Sequence, residues 1–113
     1  MAERIDYIEF PSGDRSRTSS FFQEAFGWGV TSYGPDYDGI EGAGIGGGVD
    51  QASERVAATM AVVRTDDLDD AERRVRAAGG VITRPQFDFP GGRRFHFREP
   101  GGNELAVYVD RPE

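Results

Sequence analysis

The side chains best suited to chemistry lie near the end of the chain. Arg93-Arg94-Phe95-His96-Phe97-Arg98 leads through Glu99-Pro100-Gly101-Gly102-Asn103 into Glu104-Leu105-Ala106-Val107-Tyr108. The pattern predicts a strand, a tight turn and a second strand, and the turn fixes which residues share a face. Phe95, Phe97, Leu105 and Val107 take one face, and Arg94, His96, Arg98, Glu104 and Tyr108 take the other. That polar face carries the only histidine of the 113 residues. Guanidinium forks suit carboxylates and phosphates, and an imidazole titrates near neutrality, so the face has the means to bind an anion or move a proton. On the first strand, Tyr7 and Glu9 also share a face. If these faces converge, Glu9, His96 and Glu104 form a candidate acid–base group or displaced metal set. Tyr7, Met60, Arg94, Arg98 and Tyr108 are candidate ligand-binding residues. The plainer reading is pairing among themselves: Glu9 with Arg94 or Arg98, and Glu104 as a charge on a sheet face. Such a pair would hold Glu9 ionised and make it a poor base.

The elements that must position these groups are short. Ile5 to Phe10 reads as a strand ending at Pro11. Asp14 or Ser16 caps a helix running to Phe26, with Gly27 as its left-handed stop. Phe22, Phe26 and Trp28 are read as core. Strands follow at 28–33, 37–40 and 43–49. The last contains Gly46-Gly47-Gly48, a strand that bends or admits a close neighbour. It is not a phosphate loop, because no Lys-Ser/Thr and no helix start follow it. After a polar linker the pattern repeats: strand 58–63, a helix from Asp66-Asp67 with a stripe of Leu68, Ala71, Val75 and Ala78, a stop at Gly79-Gly80, a strand from Val81 to Phe87, and the final hairpin. The acidic residues at that helix start answer the helix dipole and lack the spacing of a calcium loop. An offset of 53 places Tyr7 on Met60, Asp14 on Asp67, Ala25 on Ala78 and Gly27 on Gly80. The chain therefore reads as one domain, 1–113, made of a βαβββ module at 1–50, a linker at 51–56 and a second βαβββ module at 57–113. The fold class is α+β, with the two modules forming a cupped mixed sheet and the helices outside.

Composition narrows the functions. The net charge of −7 repels phosphate backbones and argues against nucleic acid as a partner. No apolar run approaches the roughly 20 residues of a membrane span. The residues from Met1 to Arg4 lack the apolar region of a signal peptide, so a cytoplasmic location is expected. There is no Cys, hence no thiolate nucleophile and no disulfide.

The motifs together resemble the vicinal oxygen chelate superfamily, which includes glyoxalase I, fosfomycin-modifying enzymes, bleomycin resistance proteins and extradiol dioxygenases. The resemblance rests on Ile5-Asp6-Tyr7-Ile8-Glu9-Phe10-Pro11 followed by Asp14; on Phe21-Phe22 and Phe26-Gly27-Trp28; on Asp66-Asp67-Leu68 through Gly79-Gly80; and on Glu99-Pro100-Gly101-Gly102-Asn103, similar to the family's Asp-Pro-x-Gly-Asn turn. It implies paired βαβββ modules around a pocket and, in active members, a divalent metal held by His and Glu. At the matched positions this chain has Tyr7, Met60 and Ala106, and Ile45-Gly46-Gly47-Gly48 where a further ligand can sit. Zinc, nickel and manganese need several N or O donors together, so the usual metal is expected to be absent and the cofactor is left unknown. The resemblance implies a small-molecule-binding protein like the bleomycin resistance members, working as a homodimer on a small organic molecule. A glyoxalase-like lyase or isomerase, or a dioxygenase, is the enzymatic alternative, and a structural dimer module without ligand is the third.

Overall fold

The computed structural model describes residues 3–110. It contains eight strands and two helices in an α+β arrangement. The chain forms two compact units, residues 6–60 and residues 61–110 together with 3–5.

In the first unit, β1 (Arg4–Pro11) leads to α1 (Arg15–Phe26), then β2 (Gly29–Ser32), β3 (Tyr37–Glu41) and β4 (Gly46–Asp50). The strand order is β2-β3-β4-β1, with β1 parallel to β4 and the other pairs antiparallel. The Asp14 carboxylate accepts the Arg17 amide at 3.2 Å and so satisfies one of the helix's orphan donors. Gly27, at φ 71°, closes the other end. The helix covers one face of the sheet through a largely polar underside. Ser19 donates to Asp38 Oδ2 at 2.6 Å, and Arg15 Nε lies 3.3 Å from Asp38 Oδ1, with Ser19 and Asp38 both buried. The expected aromatic core is correspondingly displaced. Phe22 is half-buried between Phe10 and Trp28, at 5.1 Å from each ring. Phe26, by contrast, is 59% exposed and stacks on the outer side of Trp28.

The second unit repeats the plan with β5 (Met60–Arg64), α2 (Leu68–Ala77), β6 (Val81–Phe89), β7 (Gly92–Arg98) and β8 (Glu104–Asp110), in strand order β5-β8-β7-β6. Asp67 caps α2 as Asp14 caps α1, by accepting the Asp70 amide at 3.0 Å. The left-handed glycine after α2 is Gly79, at φ 99°, one place earlier than the offset of 53 would put it. Here the helix covers a true apolar core: Leu68, Ala71, Phe95 and Val107, with Val63, Val75, Ile82, Phe97 and Val109 around them. The β7–β8 turn is tied by Glu99, whose carboxylate accepts the amides of Gly101 and Asn103 and the Asn103 side chain. Those donors hold it below the usual carboxylate range. Glu3 belongs to this unit. It accepts from Thr65 Oγ1 at 2.7 Å and from Arg74 Nη1 at 3.0 Å, fastening the start of the chain to α2.

Candidate functional site

Because alternate strand residues face opposite ways, filling one side of each sheet with helix contacts leaves the other side for chemistry. In the first unit Ile8 and Phe10 fall on the helix side, and Tyr7 and Glu9 on the other. Tyr37 joins them from β3. Its hydroxyl donates to Glu9 Oε2 at 3.0 Å, while the Tyr7 hydroxyl meets the Tyr37 oxygen in a very short hydrogen bond. A phenol has one proton, so with that of Tyr37 given to Glu9, Tyr7 is the donor to Tyr37. Burial and the neighbouring Glu9 charge push the Tyr37 phenol far above its ordinary pKa, which keeps that proton in place.

The glycine triad makes this arrangement possible. Tyr7 and Glu9 lie across from Gly46 and Gly48 in the β1–β4 ladder. A Cβ on Gly48 would stand 1.9 Å from the Tyr37 oxygen and 2.5 Å from the Tyr7 oxygen. One on Gly46 would stand 2.9 Å from the Tyr7 ring. The close neighbours admitted by this strand are thus the chain's own tyrosines. Tyr37 was not among the residues singled out from sequence, and the triad opposite Tyr7 was the signal for it.

In the second unit Arg94, His96, Arg98, Glu104, Ala106 and Tyr108 occupy the face away from α2, as the β7–β8 register requires. His96 is 4% exposed and packs edge-on to Phe87 at 5.6 Å. Its Nε2 accepts from Arg94, 3.2 Å from Nε and 2.9 Å from Nη2, so the ring proton sits on Nδ1. Burial, reinforced by the charges of Arg94 and Arg84, lowers the imidazole pKa to about 4. His96 is therefore neutral at pH 7, and its 3.9 Å approach to Glu104 Oε2 is no ion pair there. Arg98 donates to the Gly102 carbonyl at 2.8 Å and lies 3.8 Å from Glu104, whose other oxygen accepts from Thr83 at 2.7 Å. Four strand residues, about 13 Å, separate Arg98 from Arg94. Arg84 of β6 is the ladder partner of His96, and its guanidinium stacks 3.7 Å over the Phe87 ring. Arg94 itself lies 5.7 Å from Phe87 and 5.8 Å from Phe89, and Phe89 contacts Tyr108 at 6.3 Å. Arg84, Phe87 and Phe89 were also missed from sequence. Only the alternation of Phe87-Asp88-Phe89 pointed to the two rings.

The donor set at the positions matched to the family's metal ligands does not fit a divalent ion. Tyr7 is engaged with Tyr37, Met60 offers a thioether that is 1% exposed, Ala106 has only a methyl group, and Gly46 to Gly48 have no side chain. Among the described residues, no three His, Cys, Asp or Glu side chains come together as a set of metal ligands. Elsewhere, an open depression of about 500 Å³ between Pro11–Gly13 and residues 53–57 contains none of the candidate residues. Among the described residues, no helix is long and apolar enough to cross a membrane.

Comparison with known proteins agrees with the fold. No curated protein sequence matches the chain. A glyoxalase/bleomycin resistance protein/dioxygenase superfamily member from Vibrio splendidus 12B01 superposes with a TM-score of 0.73 at 16% identity, over 96% of this chain and 100% of that one. Methylmalonyl-CoA epimerase from Mycobacterium tuberculosis gives 0.74 at 14% identity, over 96% and 88%. The Mn(II)-bound glyoxalase from Novosphingobium aromaticivorans gives 0.70 at 19%, over 94% of this chain and 38% of that larger one. At these identities the likeness is one of fold. The model of the Glyoxalase/Bleomycin resistance protein/Dioxygenase superfamily matches residues 4–107, and the chain belongs to that superfamily.

Proposed function

We propose that this chain binds a small organic molecule on the sheet faces turned away from its helices, without the divalent metal of its active relatives. One observation carries the reading. Where those relatives place ligands, this chain has a hydrogen-bonded phenol, a buried thioether and a methyl group. Each unit by itself offers suitable groups: aromatic walls at Phe87, Phe89 and Tyr108 with Arg94 and His96 beside them in the second unit, and Glu9 with Tyr37 in the first. The chain acts as a cytoplasmic homodimer in this reading, which size-exclusion chromatography with light scattering tests for the assembly. The main experiment is thermal unfolding of the purified protein against a metabolite panel holding both neutral and charged compounds, with elemental analysis alongside. Stabilisation by one compound class, with no stoichiometric metal, supports the proposal. A stoichiometric divalent ion whose removal lowers the melting temperature refutes it.

A second reading is favoured by the neutral state of His96. The neutral ring keeps its proton on Nδ1 while Arg94 occupies Nε2, so in the enzymatic form of the proposal, a lyase or isomerase, Glu9 or Glu104 is the base and His96 acts as a hydrogen-bond donor or acid. His96→Gln should impair turnover of any substrate found and either Glu9→Gln or Glu104→Gln should abolish it; unchanged rates in His96→Gln, or in both glutamate variants, discard the assignment.

A further inference from the structure

We infer that the second unit carries a recognition site for the carboxylate of a small organic ligand, with Arg84 as the residue that meets it. This rests on the small-molecule reading above and gives it a ligand class. The site lies within residues 61–110 and uses four observations.

First, the Arg84 guanidinium is oriented by stacking 3.7 Å over Phe87, and among the described residues it has no carboxylate or other hydrogen-bond partner. A stacked guanidinium keeps its in-plane N–H donors free for a planar oxyanion. Second, it sits in a deliberate irregularity. The β6–β7 register shifts between Ile82 and Arg84 and again between Arg84 and Phe87, and such bulges re-aim a side chain. Third, Arg84 pairs across the ladder with His96, and Arg94 lies on the other side of that imidazole, so two cations flank a neutral ring. Fourth, Phe87, Phe89 and Tyr108 border these cations and offer apolar and aromatic surface for the rest of an organic acid. Glu104, 3.9 Å from His96, marks the far limit of the site, held by Thr83 and facing Arg98. A lone inorganic ion would use the cations and leave the aromatic border idle, which favours an organic carboxylate.

The test uses benzoate and its neutral isostere benzamide as probes of the whole protein, followed by NMR. The single histidine gives one unambiguous reporter, the His96 ring proton resonance. Benzoate should shift it in a saturable way, and benzamide should bind at least tenfold more weakly. Arg84→Gln, a change at an exposed side chain, should weaken benzoate about tenfold or more while the melting temperature stays near that of the parent. Arg84→Lys should fall between the two. Equal affinity for benzoate and benzamide overturns the inference, as does an Arg84→Gln variant that binds benzoate as well as the parent does. Inorganic phosphate binding as tightly as benzoate overturns it too. If neutral compounds bind and benzoate does not, this inference fails and the proposed function stands. If no compound of either charge binds, both fail.

Discussion

Replacing Gly48 by alanine tests the structural logic of the first unit most directly. The added Cβ would fall 1.9 Å from the Tyr37 oxygen, 2.4 Å from its Cζ and 2.5 Å from the Tyr7 oxygen. Side-chain rotation alone is a poor escape, because both phenols are held to each other and Tyr37 to Glu9. Overpacking of this kind costs about 1–3 kcal/mol. Displacing Tyr37 also deprives the buried Glu9 carboxylate of a donor, at about 1–3 kcal/mol. The reduced freedom of the unfolded chain returns about 0.4–1 kcal/mol. The net expectation is a loss of about 3 kcal/mol, or about 12 °C in melting temperature for a domain of this size. Chemical and thermal unfolding of Gly48→Ala, Tyr37→Ala and the double variant provides the assay. The double variant should cost at least about 1 kcal/mol less than the two singles added together, because the alanine then occupies space vacated by the phenol. Gly13→Ala, where a Cβ meets nothing within 4 Å, is the control and should be neutral. A neutral Gly48→Ala, or strict additivity in the double variant, would refute the argument that the glycine exists to seat the tyrosines.

Three further outcomes are expected. The neutral form of His96 contributes stability above its ordinary pKa of 6.5, and that stability drains away as pH falls towards the folded value of about 4. Urea unfolding at pH 7 and pH 5 should differ by about 1–2 kcal/mol from this group, and His96→Gln should remove that part of the slope. Glu3 behaves in the opposite sense. Chiefly through the Arg74 hydrogen bond and then that of Thr65, its pKa is lowered from 4.5 to about 2, so its contribution is present above pH 4.5 and lost on acidification towards pH 2. Glu3→Gln should be less stable than the parent at neutral pH and show a flatter acid limb, as followed by circular dichroism. Asp38→Ala should cost about 3 kcal/mol, because Arg15 and Ser19 lose their shared partner beneath α1, whereas Asp38→Asn keeps an acceptor for Ser19 and should lose about half as much by differential scanning calorimetry.

The parts of this molecule that sequence made legible are those governed by local rules. Both helix starts were legible, from Asp14 or Ser16 and from Asp66-Asp67, and the caps are Asp14 and Asp67, because a capping carboxylate acts on an amide three residues away. The faces of β7 and β8 followed from alternation, with Phe95 and Val107 entering the core as expected. Side-chain burial on α1 did not follow. Its aromatic residues suggested an apolar stripe, yet Ser19, Arg15 and Asp38 form the polar layer beneath it and leave Phe26 outside. Nor did the partners of the candidate residues follow. Tyr37 reaches Glu9 from 28 positions away, and Arg84 reaches the His96 neighbourhood only because the register of β6 slips. Alternation assigns a residue to a face, but it carries no record of a bulge or of which side chain arrives from another strand.

The slipped register of β6 has a consequence for solubility as well as recognition. At nine residues β6 is the longest strand and ends its unit's strand order, with Val81 exposed on it. A long, regular edge of that kind would offer its unpaired main chain to a second molecule and seed growth of an intermolecular sheet. Pro85 removes a donor, the two bulges spoil the flat repeat that an incoming strand needs, and Arg84 adds a charge between them. Straightening this strand, by replacing Pro85 and restoring regular pairing around it, would therefore open a route to aggregation even in a protein whose folded state had become more stable.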